Sequence, residues 1–184
     1  PEQFVSGMRD TVLTSDDCGT AQHYLLLDEF YRTAIWLAGC VPLWWFVPDY
    51  EEHRYEEYCA ILLGKRFIRQ SEVIDLGHLA RIPEREFIGA GLWQIYKGIA
   101  EPYKSLLKLL LIEAYAGQHP QVDCISLQFK RAIYAGEPDA DQLDAYVMLY
   151  RQLERHLQAR DEPERLELVR RCFYLKIGIP LGRP

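Results

Sequence analysis

The strongest constraint on the fold is a pair of apolar segments separated by a short break. The first, Glu86 to Lys97, reads E-F-I-G-A-G-L-W-Q-I-Y-K, and the second, Pro102 to Tyr115, reads P-Y-K-S-L-L-K-L-L-L-I-E-A-Y. Proline cannot sit inside a helix without removing a hydrogen bond, but it suits the first helical position. The sequence therefore predicts two consecutive helices, at about 83–98 and 102–116.

As far as Ile112, the second of these helices is apolar on every side except for Lys104, Ser105 and Lys108. Like charges one turn apart destabilise a helix by roughly a few tenths of a kcal/mol, and burying them without partners costs much more. An anion must therefore face the two lysines. Spacing alone favours internal carboxylates over the alternative, a bound triphosphate.

Composition is typical of a soluble globular domain and argues against nucleic acid as a partner. Of the 184 residues, 49% are hydrophobic and 26% are charged, which is enough to bury a core. The net charge of −6 argues against a nucleic-acid-binding module, which normally carries a basic face. No apolar run reaches the length of a membrane span, and the first residues lack the features of a signal peptide. We therefore expect a cytoplasmic protein.

The five cysteines are scattered and never form a C-x-x-C pair. Without a secretory signal, this pattern favours reduced thiols over a disulfide framework, and it also disfavours a zinc site. We expect no metal ligands in this chain.

Glycine and proline punctuate a mainly helical pattern with at most one or two short strands and no linker, so we predict a single domain over 1–184. A first helix is capped by Asp16, Asp17 or Thr20 and continues through Ala38 to Gly39. The run from Val41 to Pro48 is bounded by prolines and predicts an extended segment. Further helices are predicted at about 50–63, 122–135, 139–159 and 163–176, with residues 65–79 mostly loop.

Charge and aromatic patterns have ordinary explanations. The run E-E-H-R-Y-E-E around residue 54 is typical of a solvated helix face. Five aromatic residues are candidates for stacking on an adenine, although aromatics at helical spacing usually lie in the core: Trp44, Trp45, Tyr96, Tyr103 and Tyr115.

The loop from Ser15 to His23 combines carboxylates, a glycine and a helix N-terminus, which presents free N–H groups. Asp17 and Gly19 are therefore candidates for holding a metal–phosphate group or a ribose hydroxyl. Simple helix capping by Asp16 or Asp17 remains the favoured alternative. The chain contains no P-loop, G-x-S-x-G or H-E-x-x-H motif and no G-S…D-x-D motif, so no complete catalytic set is present.

Three segments together resemble the class I adenylate cyclases of enterobacteria and pseudomonads. The Glu86–Lys97 segment is close to their signature E-Y-F-G-(small)-(small)-L-W-x-L-Y-K, with conservative departures at Phe87, Ile88 and Ile95. The segments Asp17 to Arg32 and Leu168 to Lys176 are also similar to this family, in the same order along the chain.

The resemblance implies that a polymerase-β-like nucleotidyltransferase sheet precedes this chain and carries a G-S…D-x-D motif that holds two Mg²⁺ ions. Such an enzyme converts ATP to 3′,5′-cyclic AMP and pyrophosphate, mainly by positioning and charge stabilisation. We expect this chain to be the helical portion that follows the sheet and covers the nucleotide, and to be inactive alone. The family also carries a C-terminal region that responds to the sugar phosphotransferase system, which we expect to lie outside this chain.

Under this resemblance, Lys104, Ser105 and Lys108 become candidates for contacts with the β- and γ-phosphates of ATP. Asp17 and Gly19 become candidates for a loop at the edge of the cleft. Two other functions remain open: a non-catalytic helical interaction or regulatory module, and a nucleotidyltransferase that acts on a separate acceptor.

Overall fold

A computed structural model describes residues 23–33, 36–65 and 68–177. Within these ranges the chain is mainly α-helical with one two-stranded parallel sheet, which confirms the predicted fold class. The α-helices are α1 (His23–Tyr31), α2 (Tyr55–Gly64), α3 (Glu84–Lys97), α4 (Pro102–Ala116), α5 (Ile125–Tyr134), α6 (Ala145–Ala159) and α7 (Pro163–Ile177).

The α4 helix is the centre of the molecule. It packs most extensively against α3 in a helical hairpin, and its other sides contact α6 and α7. Leu107, Leu110, Leu111 and Ala114 are buried along it, as expected for a helix that is apolar almost all round. The predictions of helices at 83–98 and 102–116 are confirmed, and Pro102 occupies the first helical turn.

The three C-terminal helices were also predicted, but two of them begin later than expected. α5 begins at Ile125 and α6 at Ala145. The start of α6 is set by Asp144, whose Oδ1 accepts hydrogen bonds from the N–H groups of Tyr146 and Val147 at 2.8 and 2.9 Å. The predicted start at residue 139 is therefore wrong, because the capping carboxylate lies five residues further on.

The prediction that the first helix continues to Ala38 is wrong, because α1 ends at Tyr31. Leu37 and Cys40 instead exchange two backbone hydrogen bonds of 2.9 Å around a tight turn. Ala38 and Gly39 both have positive φ in this turn, at 51° and 81°, which is the backbone of a hairpin turn rather than a helix end. The predicted start of the helix lies outside the described residues.

The extended segment predicted from Val41 to Pro48 is only partly observed. Strand β1 (Val41–Pro42) pairs in parallel with β2 (Val73–Ile74), with Val41 opposite Val73. A 3₁₀ helix over Leu43–Phe46 follows and buries Leu43 and Trp44. Apolar residues bounded by prolines predicted burial correctly, but they did not distinguish a strand from a short helical turn.

The charged segment that follows is less solvated than its sequence predicts. It begins as a 3₁₀ helix over Asp49–Arg54 and becomes α-helical at Tyr55. Glu52 and Tyr55 are buried, so the interpretation of this run as a wholly solvated face is wrong. Glu52 is buried because Leu79 and Lys130 bind its carboxylate in the interior.

Among the described residues, no helix is both long and apolar enough to cross a bilayer.

Candidate functional site

Lys104 and Lys108 of α4, for which an anionic partner was predicted, both pair with carboxylates of this chain. Lys108 Nζ lies 2.6 Å from both carboxylate oxygens of Glu29 on α1. Lys104 Nζ lies 3.3 Å from Glu101, the residue that precedes α4. The requirement for an anionic partner is thus met internally for both lysines, and the predicted contact with a triphosphate stays a prediction.

The two ion pairs differ in their surroundings. The Lys104 side chain is 35% exposed, and its partner Glu101 is 60% exposed, so solvent screens the attraction between them. The hydrogen bond to Glu101 raises the pKa of Lys104, and the same bond lowers the pKa of Glu101. The Lys108 side chain is only 19% exposed. Lys104 is therefore the more available of the two for a further anion.

Ser105 does not share the surface position of the two lysines. It is buried, and its Cβ lies 3.7 Å from the place where a Cβ on Gly98 would stand. Ser105 therefore faces the closed end of the α3–α4 hairpin, while Lys104 and Lys108 are half-buried beside Glu101 and Glu29.

The contact of Lys108 with Glu29 joins α4 to α1. In the sequence, α1 directly follows the loop that contains Asp17 and Gly19, the other candidates for nucleotide contacts. Asp17 and Gly19 lie outside the described residues. The Lys108–Glu29 ion pair thus connects α4 to α1, the helix that follows the candidate loop in the sequence.

Glu86, the first residue of the Glu86–Lys97 motif, caps α1 from a different helix. Its Oε2 accepts hydrogen bonds from the N–H groups of Tyr24 and Leu25 at 2.9 and 3.2 Å. These are first-turn groups that an ordinary N-cap side chain would bind. Burial raises the pKa of Glu86 to about 8, against the opposing effect of the two N–H donors. The motif therefore fixes the beginning of α1.

A second buried carboxylate, Asp28 on α1, caps α5 in the same way. Its Oδ1 accepts from the N–H of Ser126 at 2.9 Å, and its Oδ2 accepts from the Tyr115 hydroxyl at 3.1 Å. The Tyr115 hydroxyl in turn accepts from the N–H of Ile125 at 2.7 Å. Arg32 Nη2 lies 3.5 Å from Oδ2 and forms an i,i+4 ion pair with Asp28. Asp28 is buried, so these partners satisfy its carboxylate in the interior.

A third network surrounds Lys130, which is fully buried on α5. Its Nζ donates to the Trp44 carbonyl at 2.7 Å, lies 3.3 Å from Glu52 Oε1, and lies 3.8 Å from the centre of the Trp44 ring. The other oxygen of Glu52 accepts from the N–H of Leu79 at 3.1 Å. Burial lowers the pKa of Lys130 to about 8, although Glu52 opposes this shift.

Sequence reasoning missed Glu86 and Lys130 as structural residues. Glu86 is the third residue of α3, beside the buried Phe87 and one turn before the buried Ala90, so its place on the buried helix face was a usable signal. Lys130 is similarly placed next to the buried Phe129 on α5. An ionisable residue on an apolar helix face predicts a buried partner, as the two lysines of α4 did.

The aromatic candidates divide into three groups. Trp45 is half-buried and packs edge-on against Trp44 and Phe129, with ring centroids 5.1 and 5.7 Å apart. Trp44 and Tyr115 are fully buried, and Tyr31 stacks on Trp44 with ring centroids 4.3 Å apart, so these belong to the core as expected. Tyr96 and Tyr103 are exposed, so the expectation that aromatics at helical spacing lie in the core is wrong for them.

Neither of two shallow grooves in the described structure includes the lysines of α4. One is lined by residues of α7, including Glu164 and Arg171, and the other lies between α5 and α6 around Gln128 and Arg155. Across the same residues, no three His, Cys, Asp or Glu side chains form a group that would hold a metal ion. Cys40, Cys59, Cys124 and Cys172 are free thiols.

Comparison with known proteins identifies the family. A model of the second domain of class-I adenylate cyclases matches residues 82–184, and a model of the adenylate cyclase NT domain matches residues 1–45. Adenylate cyclases of Yersinia intermedia, Salmonella typhimurium and Escherichia coli are 45%, 44% and 44% identical to the chain over 171 residues.

These alignments include 93% of this chain but only 20% of each relative, so the chain spans about a fifth of the length of the curated relatives it matches. No solved structure matches. The two consecutive domain matches and the identity along nearly the whole chain show that it belongs to the class-I adenylate cyclase family.

Proposed function

We propose that this chain is a segment of a class-I adenylate cyclase that converts ATP to 3′,5′-cyclic AMP and pyrophosphate. The observation that carries this proposal is the match of residues 1–45 and 82–184 to two domains of one enzyme family, together with 45% identity to an adenylate cyclase over 93% of the chain. In this proposal the segment contributes helices that cover the nucleotide, and the 184 residues alone do not cyclise ATP.

Within this function, Lys104 and Lys108 are the candidates for contacts with the β- and γ-phosphates of ATP. The weak, exposed pairing of Lys104 with Glu101 is compatible with exchange of the carboxylate for a phosphate, because such surface pairs contribute little free energy. Lys108 would have to share its charge between Glu29 and the nucleotide. Asp17 and Gly19 remain candidates for the cleft edge.

The other parts of the mechanism belong to residues outside this chain. Catalytic Mg²⁺ would be held mainly by carboxylates of a nucleotidyltransferase-like sheet and would stabilise the charge that develops on the leaving pyrophosphate. Regulation by the sugar phosphotransferase system would act through a C-terminal region. This chain would supply positive charge and helical cover.

The experiment compares removal of the lysines with removal of their carboxylates in the parent cyclase. If the lysines bind the triphosphate, Lys104→Ala/Lys108→Ala lowers kcat/KM for Mg²⁺-ATP by about a hundredfold or more, equivalent to about 2.7 kcal/mol. The matched variant Glu29→Gln/Glu101→Gln leaves both lysines in place, so it retains activity within a few-fold.

Equal losses in the two variants would contradict the nucleotide role, since an internal ion pair is broken by removal of either partner. The product assay also tests the activity itself. If the labelled nucleotide of ATP is found only on a separate acceptor, the protein is a nucleotidyltransferase and not a cyclase. A parent protein that neither forms cyclic AMP nor labels an acceptor would favour the interaction-module alternative.

A further inference from the structure

The outer face of α3 is apolar and exposed. Five large apolar residues of the Glu86–Lys97 motif and the turn after it are each more than 60% exposed: Ile88, Leu92, Ile95, Tyr96 and Ile99. Their spacing of three to four residues places them on one side of the helix. We call these five residues the α3 outer face.

The opposite side of α3 is already occupied by this chain. Glu86, Phe87, Ala90 and Gln94 are buried there, where α3 contacts α1 and α4. The only charged residue from Ile88 to Ile99 is Lys97, whose Nζ lies 5.1 Å from the centre of the Trp93 ring. The α3 outer face therefore carries no charge of its own, and the described part of the chain leaves it open to water.

Such a face is unfavourable for an isolated soluble domain. Burial of large aliphatic side chains is favourable, and contiguous exposed apolar patches usually mark interaction surfaces. Four of the five residues belong to the same motif that caps α1 through Glu86, and Ile99 follows it. One side of the motif helix thus has an intramolecular role, and the other has an unfilled apolar surface.

We propose that the α3 outer face docks against the portion of the NT domain that lies outside these 184 residues. The NT-domain match covers residues 1–45 and so includes α1, while the second-domain match begins at residue 82, just before α3. The first helix of the second domain therefore already packs on an NT-domain element by its inner side. If further residues of the NT domain extended this contact around α3, they would bury the outer face and pack the two domains against each other.

The length of the relatives leaves room for such an occupant, because about four-fifths of each lies outside the segment that matches this chain. Two other occupants fit less well. Helices that lie on membranes usually carry a basic polar face, whereas the inner side of α3 carries Glu86 and Gln94 and the chain has a net charge of −6. If a second copy docked here, the contact that α3 already makes with α1 would not extend to the outer face. The proposal rests on the family assignment and does not require cyclase activity.

The test places a photo-cross-linker, p-benzoylphenylalanine, at Leu92 of the purified parent cyclase, and in a second variant at Ile95. Both positions are exposed in this chain, so the replacement does not disturb its core. Gln158, which is exposed on α6, serves as the matched control position. After irradiation, peptide mass spectrometry identifies the residues that are joined.

The expected result is an intramolecular cross-link from positions 92 and 95 to NT-domain peptides that precede residue 1, with no such product from position 158. Four outcomes would overturn the proposal: cross-links to a second copy, cross-links to peptides that follow residue 184, adducts with lipid when vesicles of neutral and anionic phospholipid are present, and no cross-link at all. Cyclic AMP formation, measured separately on the same samples, tests the proposed function, so failure of one proposal is distinguishable from failure of the other.

Discussion

Two regions of this chain depart from the usual distribution of polar and apolar residues: the buried charged groups and the exposed outer face of α3. Asp28, Glu52, Glu86 and Lys130 are buried, whereas the α3 outer face exposes large apolar side chains. Each buried charged group has identified partners within the chain. The exposed apolar residues gain little from the chain, because most of their surface remains in water.

The difference separates two kinds of information in the sequence. The buried charges connect elements that are distant in the chain: Glu86 joins α3 to α1, and Asp28 joins α1 to α5. They specify the fold of this segment. The α3 outer face connects no such elements among the residues that the structure describes, which is why we propose that it docks against the rest of a cyclase.

The largest expected effect comes from removal of the buried cation. Lys130→Ala leaves the Glu52 carboxylate and the Trp44 carbonyl without their partner in the interior, so we expect the free energy of unfolding to fall by about 3–5 kcal/mol. Urea denaturation of the 184-residue chain measures this change. The exposed Lys65→Ala control should stay within about 0.5 kcal/mol of the unmodified chain. A loss below about 1 kcal/mol for Lys130→Ala would contradict a structural role for the buried network.

The pH dependence of stability tests the capping role of Glu86. The folded chain holds the Glu86 proton up to a pKa of about 8, whereas the unfolded chain releases it near 4.5. Stability contributed by this group is therefore present below about pH 4.5 and is lost as pH rises towards 8, with a slope of up to about 1.4 kcal/mol per pH unit.

Glu86→Gln should remove that slope, whereas Glu84→Gln, at an exposed position on the same helix, should retain it. Urea unfolding of the three proteins at several values between about pH 5 and 8 gives the comparison. Identical pH profiles for Glu86→Gln and the unmodified chain would show that Glu86 titrates normally and is not desolvated.

A smaller effect is expected from the hydroxyl that supports the start of α5. Tyr115→Phe removes the donor to Asp28 and the acceptor for the Ile125 N–H, so the free energy of unfolding should fall by about 1–3 kcal/mol. Tyr103→Phe, at an exposed position on the same helix, should have almost no effect. Equal stability of these two variants would exclude the Tyr115 hydroxyl from the capping network.

The smallest effect within this chain is expected at the α3 outer face. Leu92→Ser/Ile95→Ser should change the free energy of unfolding of the 184-residue chain by no more than about 0.5 kcal/mol, because neither side chain packs into its core. Leu107→Ala, at a fully buried position of α4, should cost about 2–5 kcal/mol in the same measurement. A large loss in the serine variant would mean that the outer face packs within this chain.

The helices were the most predictable part of the fold. Proline and glycine mark the ends of α3 and α4, and the apolar run of α4 predicted its central position. The end of α1 was not predictable from Gly39, because positive φ at that residue serves a two-residue turn as readily as a helix end. The burial of Glu52 was hidden in a charged run, since its partners Leu79 and Lys130 are distant in the sequence.

The candidate site was predictable only as a requirement. Two lysines on an apolar helix demanded anions, and Glu29 and Glu101 meet that demand. Which carboxylate would meet each lysine depended on tertiary packing, because Glu29 lies 79 residues before Lys108. The apolar outer face of α3 could not be told from a core-facing stripe, because periodicity shows which residues share a side but not what covers that side.

The most direct test of the proposed docking of the α3 outer face uses the variant Leu92→Cys in two proteins, the 184-residue chain and the parent cyclase. The quantity measured is the rate at which a thiol-alkylating reagent modifies the introduced cysteine. Peptide mass spectrometry follows the introduced thiol separately from the native cysteines, and Gln158→Cys provides the exposed control. We predict that alkylation at position 92 is at least about tenfold slower in the parent cyclase, because the docked domain covers this face, while the thiol at position 158 reacts at similar rates in both proteins. Equal rates at position 92 would show that the α3 outer face remains open in the whole enzyme and would contradict the assignment of this surface to domain assembly.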